Sequence, residues 1–147
     1  MDKYDALKLE NQICFPLYVC SKEVVRKYKP YLDKLSLTYT QYIAMMVIWE
    51  KGSINVTELG RKLYLDSGTL TPLLKKLEKK GYITRSRDVN DERNVIISVT
   101  EAGMALREDA VVIPEMVGKC IDLSEEEVGT LYLLLGKLMG VITDEQK

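Results

Sequence analysis

The stretch LDSGTLTPLLKKLEKK, residues 65–80, decides the fold. Asp66 or Ser67 offers a short side-chain oxygen to the free N–H groups of a first helical turn. Leu70, Leu73, Leu74 and Leu77 recur at the i, i+3, i+4, i+7 spacing of one apolar helix face, which has to be covered. Outside that face the front of the helix carries small hydrogen-bonding residues, Ser67, Gly68, Thr69 and Thr71. Its back carries Lys75, Lys76, Lys79 and Lys80. Such a helix suits a DNA major groove, where hydrogen bonds read bases and cations meet phosphates. An ordinary amphipathic surface helix has the same leucine pattern, so the neighbouring segments must decide.

Just upstream, Asn55-Val56-Thr57-Glu58 is a cap signature that opens a short helix over 56–63, with Leu59 and Leu63 inward. Tyr64 and Leu65 then leave room only for a tight connection. Two short helices joined so closely form a helix-turn-helix. Gly81 ends the second helix. YITRSR (82–87) and VIISV (95–99) are β-rich runs separated by DVNDERN (88–94), a hairpin with a charged, turn-forming tip. A basic hairpin directly after a helix-turn-helix reads as a wing, the alternative being a merely solvated hairpin. Arg85, Arg87 and Arg93 are placed to reach phosphate or a minor groove. Ser67, Thr69 and Thr71 are the candidates for base edges, with Lys75 and Lys76 toward phosphate.

Further out, residues 6–28 read as a long helix with two adjacent apolar stripes. One is Ala6, Leu9, Ile13, Leu17, Cys20 and Val24; the other is Cys14, Tyr18, Ser21, Val25 and Tyr28. That face is too wide for a lone surface helix. Pro16 interrupts it, and Pro30 is expected to end it, leaving 31–35 as a short helical turn. Thr38-Tyr39-Thr40-Gln41 matches a capping box that opens a central helix over 39–49, stopped by Gly52. Thr100 caps the next helix, 101–112, which continues or restarts around Pro114 to about residue 121. Ser124–Glu127 is another capping box. Val128, Leu131, Tyr132, Leu135, Leu138, Met139 and Ile142 then line one face at helical spacing. Both terminal helices therefore carry apolar surface that the winged region does not use, and a homodimer built from them is the simplest way to bury it. The expected fold is mainly α with a small β-hairpin. Residues 1–35 and 101–147 are dimerisation helices, and 36–100 form the winged helix-turn-helix.

Composition sets limits on the function. The chain has 147 residues, 46% hydrophobic and 29% charged, ordinary for one soluble globular domain. No signal peptide is evident, and the longest apolar run, YIAMMVIW (42–49), is far short of the ~20 residues of a membrane span. A cytoplasmic protein with no membrane contact is expected. The three cysteines, Cys14, Cys20 and Cys120, are too few and scattered for a disulfide framework. With no histidine, His-based zinc sites and Ser-His or Cys-His catalysis are excluded; no metal and no cofactor are expected. The net charge of −1 hides a segregation: seven basic and six acidic residues in 1–50, ten and six in 51–100, four and ten in 101–147. The basic excess falls on the proposed DNA-reading segment and the acidic excess on the tail, which phosphate would repel.

A helix-turn-helix, a wing and a dimer of terminal helices together resemble the MarR family. Asp91-Glu92-Arg93 followed by Val99-Thr100 is similar to that family's D-x-R…(L/V)-T wing signature, in which the Asp helps hold the wing and the Arg enters the minor groove. LENQICFPLY (9–18), YKPYLDKLSLTYTQY (28–42) and LYLDSGTLTPLLKKLEKKGYITR (63–85) resemble the organic-hydroperoxide-sensing, OhrR-type branch. The likeness spans nearly the whole chain. It implies a homodimeric repressor that leaves a pseudo-palindromic operator when an organic hydroperoxide oxidises a sensor thiol. The matching sensor is Cys14, and the two tyrosines that hydrogen-bond its reduced sulfur match Tyr28 and Tyr39. Fourteen helical residues separate Cys14 from Tyr28 by ~21 Å, so any contact between them has to come from the other subunit.

A thiolate attacking a peroxide O–O bond becomes a sulfenic acid. Without histidine, its proton affinity has to be lowered by tyrosine hydroxyls, helix N-terminal N–H groups or a nearby cation. Phe15, Leu17, Met45 and Met46 would supply an apolar surround that favours organic over hydrogen peroxide. Cys20 is a poor disulfide partner for Cys14, since six helical residues place them ~9 Å apart along the axis; it is expected in the core beside Ile13, Leu17 and Val24. Some members of the branch carry a resolving cysteine in the C-terminal region, which makes Cys120 the candidate resolving thiol. The other course is capping of Cys14 by a small cellular thiol. Three competing functions remain: a MarR-type regulator answering to a small phenolic or apolar ligand, a thiol peroxidase, and a winged domain used only for protein contacts. A peroxidase lacks support here, because no thioredoxin-like β-α-β pattern surrounds Cys14.

Overall fold

The computed structural model describes residues 2–144, with side chains for 2–140. Two short 3-10 turns, Asp5–Leu7 and Leu9–Asn11, precede α1 (Cys14–Lys34). Then follow α2 (Tyr39–Lys51), β1 (Ser53–Asn55), α3 (Val56–Leu63), α4 (Ser67–Lys79), β2 (Ile83–Arg87), β3 (Val95–Val99), α5 (Glu101–Ala110), α6 (Ile113–Gly118) and α7 (Glu125–Asp144). The chain divides into two compact units, Met1–Pro114 and Glu115–Lys147.

Local cap chemistry sets most of the boundaries in the first unit. Thr38 Oγ1 accepts from the Gln41 N–H, and Gln41 Oε1 accepts from the Thr38 N–H, so the capping box at the start of α2 is complete. Asn55 caps α3 through the Thr57 N–H, Asp66 caps α4 through the Thr69 N–H, and Thr100 caps α5 through the Gly103 N–H. Between α3 and α4 the chain turns at Tyr64, which takes a left-handed conformation (φ 54°). The Leu65 N–H closes that turn onto the Gly60 carbonyl at 3.0 Å. A β-carbon at Gly60 would stand 3.0 Å from the Leu65 oxygen and 3.3 Å from Leu70, so glycine lets the two helices approach.

The core lies between α2, α4 and the sheet. Leu70, Leu73, Leu74 and Leu77 of α4 are all buried, as are Ala44, Met45 and Ile48 of α2 and Leu59 of α3. Each fully buried leucine contributes ~1.5–3 kcal/mol relative to an exposed one. The sheet has three antiparallel strands in the order β1-β3-β2, with Ile54 opposite Ile97 and Ile83 opposite Val99. Ile54, Ile83 and Ile97 are buried, so the sheet's inner face completes the same core. At the end of the sheet, the Trp49 indole N–H donates to the Gly103 carbonyl at 2.8 Å. A β-carbon on Gly103 would come within 2.1 Å of the Tyr82 carbonyl oxygen, so the start of α5 lies directly against the backbone before β2.

Three sequence expectations change. The helix expected over 6–28 does not start at residue 6. Gln12 is extended (φ −102°, ψ 102°), and the Asn11 and Gln12 side chains donate back to the Asp5 and Ala6 carbonyls, holding the 3-10 turns apart from α1. Helix α1 begins at Cys14, with Pro16 in its first turn, where no N–H is needed. Pro30 does not end it: α1 runs through to Lys34 and stops where Ser36 turns left-handed at φ 54°. Strand β1 leaves no mark in the sequence, because three residues are too few to show an alternation. It exists because Gly52 (φ 72°) turns the chain back along β3.

The second unit contains α7, opened by Ser124. Its hydroxyl accepts from the Glu127 N–H while the Glu127 carboxylate accepts from the Ser124 N–H. Val128, Leu131, Tyr132, Leu135, Leu138 and Met139 are all exposed. Ile142 lies outside the residues whose side chains are described. Among the described residues no helix is long and apolar enough to cross a membrane.

Candidate functional site

The outer face of α4 carries the polar residues that its leucine spacing leaves over. Ser67, Thr69, Thr71, Lys75 and Lys76 are all exposed while the four leucines between them are buried. This face offers three hydroxyl groups at the front and cations behind, the order needed to read bases and brace on phosphate.

The wing is ordered at its tip by short backbone bonds. The Asp91 carboxylate accepts from the Arg93 N–H at 3.1 Å, and the Asp91 carbonyl accepts from the Asn94 N–H at 2.9 Å. Asp88 accepts likewise from the Asn90 N–H. Arg93 projects from this tip with its side chain 94% exposed, beside Asp91 at 3.6 Å. The other two arginines are differently employed. Arg87 donates to the Glu92 carbonyl across the wing at 2.8 Å. Arg85 makes a two-pronged bond to Glu78 of α4, Nε to Oε2 and Nη2 to Oε1, each at 3.1 Å. Arg85 is a candidate for phosphate or a minor groove; in this structure its guanidinium fork fastens β2 to the back of the helix. That bond holds the Glu78 carboxyl below its usual range. The sequence showed a charged residue on each element, but not that seven positions of turn and strand would bring them together.

The second cluster lies where α1 meets α2. Tyr28 of α1, with Tyr39 and Tyr42 of α2, forms a three-ring group with centroids 5.0, 5.7 and 6.4 Å apart. The family resemblance singles out Tyr28 and Tyr39, and the structure adds Tyr42 to the group. Its place, one helical turn beyond the capping box, was the available signal. Tyr42 is buried, and that burial, followed by the nearness of Tyr28 and Tyr39, pushes its hydroxyl up to about 12. Beside Tyr39 opens a cavity of about 390 Å³ with Val25, Leu32 and Leu37 in its walls and Lys22, Arg26 and Lys29 along the α1 side.

Cys14 is exposed at the first position of α1 and is not brought to the tyrosine group of its own chain. Phe15 and Met46 are exposed as well, and Met45 is fully buried, so these residues do not form one apolar pocket around the thiol within a single chain. Cys20 is exposed rather than in the core, because Ile13 and Val24 beside it are uncovered too. In the second unit Cys120 is an exposed free thiol just after α6. Among the described residues no group of three His, Cys, Asp or Glu is placed to hold a metal ion.

Residues 26–110 match the family described as "Transcriptional regulator SarA/Rot". The chain is 52% identical over 141 residues to an organic hydroperoxide resistance transcriptional regulator of Bacillus subtilis, covering 96% of this chain and 94% of that one. It is 50% identical over 123 residues to the HTH-type transcriptional regulator SarZ of Staphylococcus haemolyticus, covering 84% of each. Among solved structures it is similar to reduced AbfR bound to DNA, with a TM-score of 0.81 and 29% identity over 99% of this chain and all of that one.

Proposed function

This chain belongs to the SarA/Rot-type, MarR-like family of transcriptional regulators, in the branch of the organic hydroperoxide resistance regulators, and we propose from that premise that it is a peroxide-sensing DNA-binding repressor. It acts as a homodimer on a pseudo-palindromic operator, in the cytoplasm where that DNA is. Residues 36–100 form the reading module, and 1–35 with 101–147 join the two subunits. The observation that carries the reading is the polar face of α4, three hydroxyls and two lysines exposed over four buried leucines, flanked by a wing whose tip presents Arg93.

Cys14 is the sensor. It stands exposed in the first turn of the 21-residue α1. Tyr28 and Tyr39 receive the sulfur of the partner subunit's Cys14, because ~21 Å of helix keeps Cys14 from Tyr28 of its own chain. The thiolate attacks one peroxide oxygen, the O–O bond breaks, and the departing alkoxide takes a proton from water or a tyrosine hydroxyl. Sulfur is oxidised by two electrons to a sulfenic acid and the hydroperoxide is reduced to an alcohol. The sulfenic acid then condenses with a thiol, releasing water. The partner subunit's Cys120 is the proposed resolving group.

The test is fluorescence anisotropy on DNA from upstream of the gene. Reduced wild type is expected to bind tightly and to lose affinity after one equivalent of an organic hydroperoxide. Cys14→Ser is expected to bind and to ignore the oxidant. Equal binding by oxidised and reduced wild type overturns the sensing reading. Non-reducing electrophoresis distinguishes the fates of the sulfenic acid: a Cys120-dependent covalent dimer supports the disulfide, and a band that stays monomeric overturns it.

A further inference from the structure

The turn that joins the two sensor tyrosines is held by the far end of the DNA-reading helix. Tyr28 lies on α1 and Tyr39 opens α2, with residues 35–38 between them. This turn is not a relaxed one. Ser36 sits in the left-handed region at φ 54°, which costs a residue with a β-carbon about 1 kcal/mol. Thr38 begins the capping box with Gln41, the one buried polar residue among those described. Into this turn reaches Lys80, the C-cap of α4. Its ammonium donates to the Ser36 carbonyl and, at 3.1 Å, to Gln41 Oε1, the same oxygen that accepts from the Thr38 N–H.

We infer that Lys80 is a positioning residue that transmits the state of the tyrosine site to the recognition helix. The inference rests on the sensing reading above and names its transmission. The geometry supports it in three ways. Lys80 bonds the strained residue itself and Gln41 at the start of α2, so Tyr39 lies between its two acceptors and a shift there moves both. Its partners lie 44 and 39 residues away in sequence, and a bond between such distant segments forms only for tertiary positioning. Its ammonium is also partly withdrawn from water, and burial, then the nearby Lys76, lowers its proton affinity.

The experiment compares operator affinity of the reduced and peroxide-treated dimer, with Cys14 oxidation verified by mass, for wild type, Lys80→Met and Lys79→Met. Lys80→Met keeps the aliphatic stem and removes the donors. It is expected to reduce the ratio of oxidised to reduced dissociation constants by about 10-fold or more, within the usual range of allosteric coupling. Lys79→Met is expected to weaken both states equally and leave the ratio alone. A Lys80→Met ratio equal to wild type overturns the inference while leaving the sensing reading intact. A wild-type ratio of one with Cys14 oxidised overturns the reading itself, and the inference with it. Hydrogen exchange on wild type gives a check that needs no variant: oxidation is expected to alter protection at 36–41 and 76–82 together. A change confined to the first segment sinks the proposal.

Discussion

Helices α4 and α7 carry similar leucine stripes and end in opposite situations. Every leucine on the inner face of α4 is buried, Leu77 completely. On α7, Leu131, Leu135 and Leu138 are 37–43% exposed and Tyr132 is 79% exposed. The same contrast runs along α1, whose last turns bury Leu32 while Tyr18 near its start is 62% exposed. Identical periodicity thus serves two ends. In the reading module it finds α2, α3 and the sheet within the chain, whereas toward the termini it presents apolar surface of the kind that a second subunit covers.

The comparison breaks most decisively at its closed side. Leu77→Ala is expected to destabilise the fold by about 3–4 kcal/mol, since it opens a cavity under the recognition helix. Urea unfolding would show this as a lower midpoint with little change in slope. On the open side, Leu131→Glu with Leu138→Glu is expected to leave the secondary structure in place. Sedimentation should then show a monomer, and operator affinity should fall by about 100-fold as one of two half-sites is lost. If the double variant stays dimeric, the two stripes do not differ in the way described.

Smaller effects sharpen the contrast between residues that touch DNA and residues that only aim them. Arg93→Ala is expected to weaken binding about 10-fold and to lower the slope of log affinity against log salt by roughly one. Glu78→Gln gives an opposite-signed test. Removing a negative charge near DNA should strengthen binding if Arg85 were free for phosphate. If the Arg85–Glu78 fork aims the wing, binding should weaken by a few fold, with the salt slope unchanged. The fork also has a pH signature. Glu78 titrates below its ordinary value because of Arg85, so its stabilisation is present above about pH 4.5 and is lost as pH falls through the lower folded value. The melting difference between wild type and Glu78→Gln is therefore expected to persist at pH 6 and to close toward pH 3.

What was legible in the sequence is what one or two turns of chain decide. Thr38, Asn55, Asp66, Thr100 and Ser124 each announce a helix start through a hydrogen bond to a backbone N–H two or three residues on. The spacing of Leu70 to Leu77 gives the buried face of α4 with no knowledge of what covers it. The polar face and the wing follow from the same local rules, and family resemblance added the sensor assignment to Cys14, Tyr28 and Tyr39. Tertiary structure alone decided the rest. Strand β1 exists because β3 offers it an edge some 43 residues later in the chain. Helix α1 starts at Cys14 because side chains upstream fold back on the 3-10 turns, and Arg85 pairs with Glu78 because the folded chain brings the carboxylate within reach. Lys80 meets Ser36 and Gln41 only once α4 has packed. These are contacts between distant segments or competitions among alternative partners. Periodicity and capping register neither, because their signals act within a turn of the residue that carries them.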